Sequence, residues 1–110
     1  MISVPAGATL TVSGETGADD DVLAVEATHI RANSSAAIFT TGATIGSAGN
    51  TDSGPITIEN VALLVDARVE NTDTATTMYP GAGFRGAIIG SGYIGVSGEI
   101  LVSDAVVDIT

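Results

Sequence analysis

The sequence predicts an all-β domain, a small sandwich or barrel-like one, and three observations carry that expectation. Apolar and polar residues alternate with a period of two through "VALLVDARVE" (61–70), the spacing of a half-buried strand. Short runs rich in Val, Ile and Thr are separated throughout by Gly, Pro, Asn and Ser, the residues that punctuate strands. Helix signals are nearly missing. At 110 residues the chain is one domain, 1–110, with a single modest core.

From the N-terminus, "ISV" and "TLTVS" flank the turn "PAGA", and residues 1–13 are expected as an N-terminal arm. "DDDVLAVEATHI" (19–30) has the acidic start of a short helix. Its "VLAV" and the β-branched residues that follow favour a strand. "HIRA" and "AAIFTT" are further strands around "NSS", a glycosylation triplet at Asn33–Ser35 that chance also produces. "TTGATIGSAGNTDSGP" (40–55) and "NTDTATTMYPGAGF" (71–84) are weakly patterned and long for loops in a small domain. They are either arms that reach a neighbour or ordinary surface loops.

Between them lies "ITIENVALLVDARVE" (56–70), the clearest strand run. One face carries Val61, Leu63, Val65, Ala67 and Val69; the other ends in Asp66, Arg68 and Glu70. The chain closes on a six-residue beat from Ala87: AIIGSG, YIGVSG, EILVSD, AVVDIT. Ile88, Ile94, Ile100 and Val106 hold its second place. Three arrangements fit this beat: short strands with tight turns between them, longer strands with Gly92 and Gly98 as bulges, or faces of a β-helix. A short β-helix-like stack is therefore the alternative fold.

Composition narrows the function classes. Charged residues are 15%, against roughly 25% in an average domain, so much of the surface is expected to contact other subunits. A net charge of −10 repels phosphate and disfavours nucleic acid or anionic lipid as partners. Lysine is absent, which fits a high-salt habitat or, equally, a GC-rich genome. No apolar run approaches the roughly 20 residues of a membrane span. With no cysteine there is no disulfide framework. "MISVPAGATL" has no basic segment before an apolar one, and assembly without export is the expectation.

Chemistry is sparse, and no enzyme activity or cofactor is expected. His29 stands without a nucleophile elbow or an orienting acid in the pattern of a catalytic triad. Asp19, Asp20 and Asp21 are the densest carboxylates and weak metal candidates; their spacing is not an EF-hand's, so a solvated turn is the plainer reading. Asp104 and Asp108 are too few for a site unless several copies meet around an axis. The glycines of "GAGFRGAIIGSG" do not form a phosphate-binding loop. Aromatic residues are 4%, and Tyr79 beside Pro80 is the one ring expected on a loop tip.

In texture (β-rich, charge-poor, without Cys or Lys) the chain resembles the small decoration or cement proteins and short fibres on the capsids of tailed viruses. That resemblance implies a homotrimer on the capsid surface, assembled in the host cytoplasm, that binds the major capsid protein and stiffens the shell. The "MISVPAGATLTV" arm would add a strand to an open sheet edge. Arg31, Arg68 and Arg85 would meet carboxylates across an interface, with Arg85 beside Phe84 as the foremost anchor. The competing expectation is a glycan- or receptor-binding β module on an extracellular surface, with Tyr79 and the 71–84 loop as its site.

Overall fold

A computed structural model describes residues 1–31, 42–71 and 86–110, with backbone alone for 29–31 and 69–71. Its strands are β1 (Ile2–Ser3), β2 (Leu10–Ser13), β3 (Val22–Arg31), β4 (Ile45–Gly46), β5 (Ile56–Glu59), β6 (Ala62–Asn71), β7 (Ile89–Gly90), β8 (Ile100–Ser103) and β9 (Val106–Ile109). They form three sheets, ordered β1-β4-β7, β2-β5-β8 and β3-β6-β9. Every strand pairing is parallel.

The all-β expectation holds, but within it the chain takes the stacked arrangement rather than the sandwich or barrel. Consecutive strands never pair with each other. Each pairs with the strand three places on, so the chain winds through all three sheets once per coil and stacks three coils. A sandwich packs two sheets face to face; here the corners send successive strands onto three different sheets. The 56–70 run shows how. Asn60 adopts φ 52°, a left-handed conformation that asparagine tolerates well, and it breaks the run into β5 and β6.

From Leu63 on, inside and outside of β6 fall as the alternation requires, while Ala62, on the outward face, is buried at 9% exposure. Val61, Leu63 and Val65 are buried, while Leu64 and Arg68 face out. The core is a column of Val4, Val25, Ile45, Ile56, Ile58, Val61, Leu63 and Val65, drawn mainly from the middle coil because only that coil is covered on both sides. The β3 strand confirms the strand reading of 19–30. Residues 1–13 supply β1 and β2, and Val4 is buried among them.

The 40–55 stretch departs from its expectation as a surface loop or arm. From Ala43 to Ser47 it is buried, with Ile45 at 1% exposure. Small residues serve there because the neighbouring coil's backbone runs against them. Gly46 has φ 147°, and a Cβ on it would collide with the Gly90 carbonyl. The 71–84 loop lies, from Thr72 on, outside the described residues.

The closing beat is neither a meander nor a bulged strand. It is the last coil, β7, β8 and β9, and its true partner is the coil beneath. Ile45 pairs Ile89, Ile56 pairs Ile100 and Ala62 pairs Val106, a constant step of 44 residues. Gly42, Ala43, Ile45, Gly46, Ser47, Ser53, Gly54 and Ile56 recur at that step as Gly86, Ala87, Ile89, Gly90, Ser91, Ser97, Gly98 and Ile100. The molecule measures 51 × 26 × 15 Å. Three strands at roughly 4.8 Å spacing stand about 10 Å high, so the 15 Å direction is the stacking axis. The two ends of the stack are therefore the broad faces of a slab.

Candidate functional site

The feature with most chemistry is the way one coil holds the next. Ser47 is buried at 2% exposure. Its Oγ donates to the Thr51 carbonyl at 2.7 Å and accepts the Gly92 amide of the last coil at 3.1 Å. Ser53 Oγ accepts the Gly98 amide at 3.2 Å, and Asp52 Oδ1 accepts the Val96 amide at 2.8 Å. Between these side-chain contacts, the Ile45, Ser47, Ser53 and Ile56 amides donate up to the Ile88, Gly90, Val96 and Glu99 carbonyls.

The last described coil carries part of the same equipment: Ser47 and Ser53 recur as Ser91 and Ser97, while Val96 stands where the middle coil has Asp52, and Ser97 Oγ donates to the Gly98 carbonyl at 2.9 Å. Ser91 Oγ donates to the Gly95 carbonyl at 2.9 Å, repeating the Ser47 conformation. By the 44-residue step, the amides of Ile89, Ser91, Ser97 and Ile100 point to where a fourth coil would lie. Ile100 and Val102 occupy the inward positions that bury Ile56 and Ile58 in the middle coil. They are 40% and 52% exposed. Outside this coil, Met1, Val22 and Leu64 are the large apolar side chains left exposed among the described residues. Within it, Ile94, Val96, Leu101, Val106 and Ile109 are exposed as well.

Ile94 adds strain to exposure. Its φ is 62°, and a β-branched residue in left-handed backbone is unfavourable. One coil down, the same corner is Asn50 with φ 60°, the residue type that suits it. The first coil differs from both. Between β2 and β3 it has the loop 14–21, where Asp21 Oδ2 accepts from the Thr16 amide at 2.6 Å, the Thr16 hydroxyl at 2.8 Å and the Gly17 amide at 3.1 Å. The Thr16 bonds chiefly hold the Asp21 carboxyl below its ordinary value.

That loop contains the weak metal candidates. Asp21 is committed to its own loop, and Asp19 and Asp20 are exposed. Among the described residues no group of three His, Cys, Asp or Glu side chains is placed to hold a metal ion. Arg68 sits on the outer face of β6 and binds Asp66 of its own chain at 2.8 Å. Glu26, opposite Asp66 across the β3–β6 pairing, adds to the attraction on Arg68. So Arg68 relieves two acids brought side by side by the stacking. Arg31 ends β3, and its side chain lies outside the described residues, as do Tyr79, Phe84 and Arg85 altogether. The same holds for the His29 side chain. Asp104 forms the corner between β8 and β9 with φ 48°, and Asp108 faces out from β9, opposite Leu64.

Sequence reasoning missed the rim residues Ser91, Ile100 and Val102. The signal that finds them is the 44-residue repeat, which the six-residue beat hid.

The described residues define the class: a parallel β-solenoid of three coils, with the middle coil buried between the other two. No protein-family model matches the chain, and neither the curated proteins nor the solved structures contain a match to it. No helix among the described residues is long and apolar enough to cross a membrane.

Proposed function

We propose that this chain is a non-enzymatic structural protein that works by assembly, in the manner of a virion decoration, cement or short-fibre subunit. The observation that carries the reading is the set of exposed apolar side chains that the last described coil presents: Ile94, Val96, Ile100, Leu101, Val102, Val106 and Ile109. An exposed apolar face of this breadth marks an interaction surface. The virion setting, the major capsid protein as partner and the trimeric form come from the resemblance in texture. The glycan- or receptor-binding alternative rests on Tyr79 and the 71–84 loop, and no described residue favours it.

Light scattering on the purified protein, in low salt and in molar salt, tests the reading. Assembly gives a mass above the 10.9 kDa of one chain, growing with salt as the repulsion between acidic copies is screened. A monomer in both conditions, with no retention on isolated shells, overturns it.

A further inference from the structure

A charge-poor edge runs up the solenoid where the β1-β4-β7 sheet meets the β2-β5-β8 sheet. One turn of each coil forms it: residues 4–9 between β1 and β2, 47–55 between β4 and β5, and 91–99 between β7 and β8. The turns are stacked, with the Ala6 amide donating to the Asp52 carbonyl at 3.1 Å and the Asn50 amide to the Tyr93 carbonyl at 2.7 Å. Each contains one left-handed residue: Gly7 (φ 88°), Asn50 (φ 60°) and Ile94 (φ 62°). Glycine and asparagine suit that backbone; isoleucine does not.

Exposure at this edge does not depend on what lies over a coil. The middle coil is covered on both sides, yet its Asn50, Thr51 and Asp52 are exposed. By the 44-residue step those places are Ile94, Gly95 and Val96, and Ile94 and Val96 are 73% and 70% exposed. Where the middle coil has Asn and Asp, the last described coil has Ile and Val, one of them against its backbone preference. Strain kept at an exposed place marks a functional contact.

Charge decides what makes the contact. Residues 1–14, 42–58 and 86–98 hold the sheet β1-β4-β7 and nearly all of the three turns, and their one charged side chain is Asp52. Its Oδ1 is engaged by the Val96 amide. The other described acids lie past these segments, in loop 14–21, on β3 and β6, at the end of β5 and from Glu99 on. Glu99 closes the last of the turns. Asp104 stands across the four residues of β8, about 13 Å off and beyond the roughly 8 Å Debye length of physiological salt. Asp108 lies further on, in β9. A basic partner gains by meeting acids, and a neutral one is indifferent to them. A partner that is itself acidic requires a contact kept apart from them, and a second copy of this chain is such a partner with a matching apolar edge.

We infer that the Ile94–Val96 turn docks on the same turn of a second copy, edge to edge. The inference rests on the reading that the protein works by assembly, and it names the partner and the surface. Side chains rather than strand edges make the contact. Ile94 and Val96 of one copy pack on those of the other, so no sheet has to pair across the junction. Loop 14–21 and the Asp104 corner stay outside it, with Glu99 at its margin.

Three variants and two spin labels test it. Ile94→Asn and Val96→Thr each remove an apolar side chain without adding a charge, and Ile94→Asn also relieves the backbone. Leu64→Asn, on the outward face of β6, is the control. Sedimentation gives self-association roughly tenfold weaker for each turn variant and unchanged for Leu64→Asn, while the Tm of Ile94→Asn in dilute monomer rises. The chain has no cysteine, so Ala6→Cys in the first turn and Asp20→Cys in loop 14–21, both exposed, can each carry a nitroxide. Docking gives a shorter intermolecular distance at Ala6 than at Asp20. Unchanged association in both turn variants, equal weakening by Leu64→Asn, or a shorter distance at Asp20 overturns the inference and leaves assembly standing through another surface. Turn variants that self-associate normally yet lose retention on isolated shells make the partner a different protein, which overturns the second copy as occupant. A monomeric parent protein overturns the inference as well, and the reading by assembly with it if shells do not retain that monomer.

Discussion

Asn60 and Asp104 hold the same left-handed corner, φ 52° and 48°, with the Asn60 amide donating to the carbonyl of Ser103 one coil up at 3.2 Å. The corners are stacked, and their stacking sets the register of every strand that follows. Residues at such corners are chosen by backbone conformation, whereas residues between them are chosen by what lies above and below.

Glycine positions separate those two demands. Gly7 (φ 88°) has open space where a Cβ would go, while Gly46 (φ 147°) faces the Gly90 backbone. Gly7→Ala therefore bears only a conformational cost. Gly46→Ala must also push two coils apart, and it loses well over about 1 kcal/mol of stability. Urea unfolding of the pair checks this; equal losses refute the close approach.

Ser47→Ala strips an acceptor from the Gly92 amide and a donor from the Thr51 carbonyl in a buried place. A loss of roughly 1–3 kcal/mol follows for groups left unsatisfied. Ser91→Ala, at the equivalent place on the last coil, leaves only the Gly95 carbonyl without its donor. In dilute monomer its midpoint in denaturant falls less than that of Ser47→Ala.

Leu63→Ala opens a cavity at a fully buried site and is expected to cost about 2–5 kcal/mol. Leu64→Ala, on the neighbouring outward position, costs far less. Comparable thermal shifts for both would mean that the inside of β6 has been assigned to the wrong face.

Acid stability should report Asp21. Its carboxyl is held below the ordinary value of 3.8, first by the Thr16 amide and then by the Thr16 hydroxyl. A lowered folded value contributes stability that is present above the unfolded value and lost as pH falls through the folded one. Asp21→Asn thus weakens the protein at neutral pH, and the gap between variant and parent closes below about pH 3.8. A gap that persists unchanged to pH 2 counts against the loop geometry.

Much of the strand content was legible in the sequence. The alternation of Val61, Leu63 and Val65 against Ala62, Leu64 and Asp66 gives β6 and its buried face directly, because a strand's side chains point alternately whatever it pairs with. Residues 40–55 were not legible in the same way. Gly, Ser and Thr are loop-like in composition, and only a neighbouring backbone at van der Waals distance turns them into core. Arg68 looked like an anchor for another subunit, but β3–β6 pairing sets Glu26 beside Asp66 and gives that charge work within its own chain.

By itself, then, the sequence determined that the chain is β-structured and which face of its longest strand is wet. These follow from local period and composition. Tertiary structure decided that the strands are parallel, that the repeat is 44 residues rather than six, and which apolar positions of the last described coil stay exposed. Those depend on which strand lies over which. That choice is made at corners such as Asn60, where a single left-handed residue redirects the chain onto another sheet.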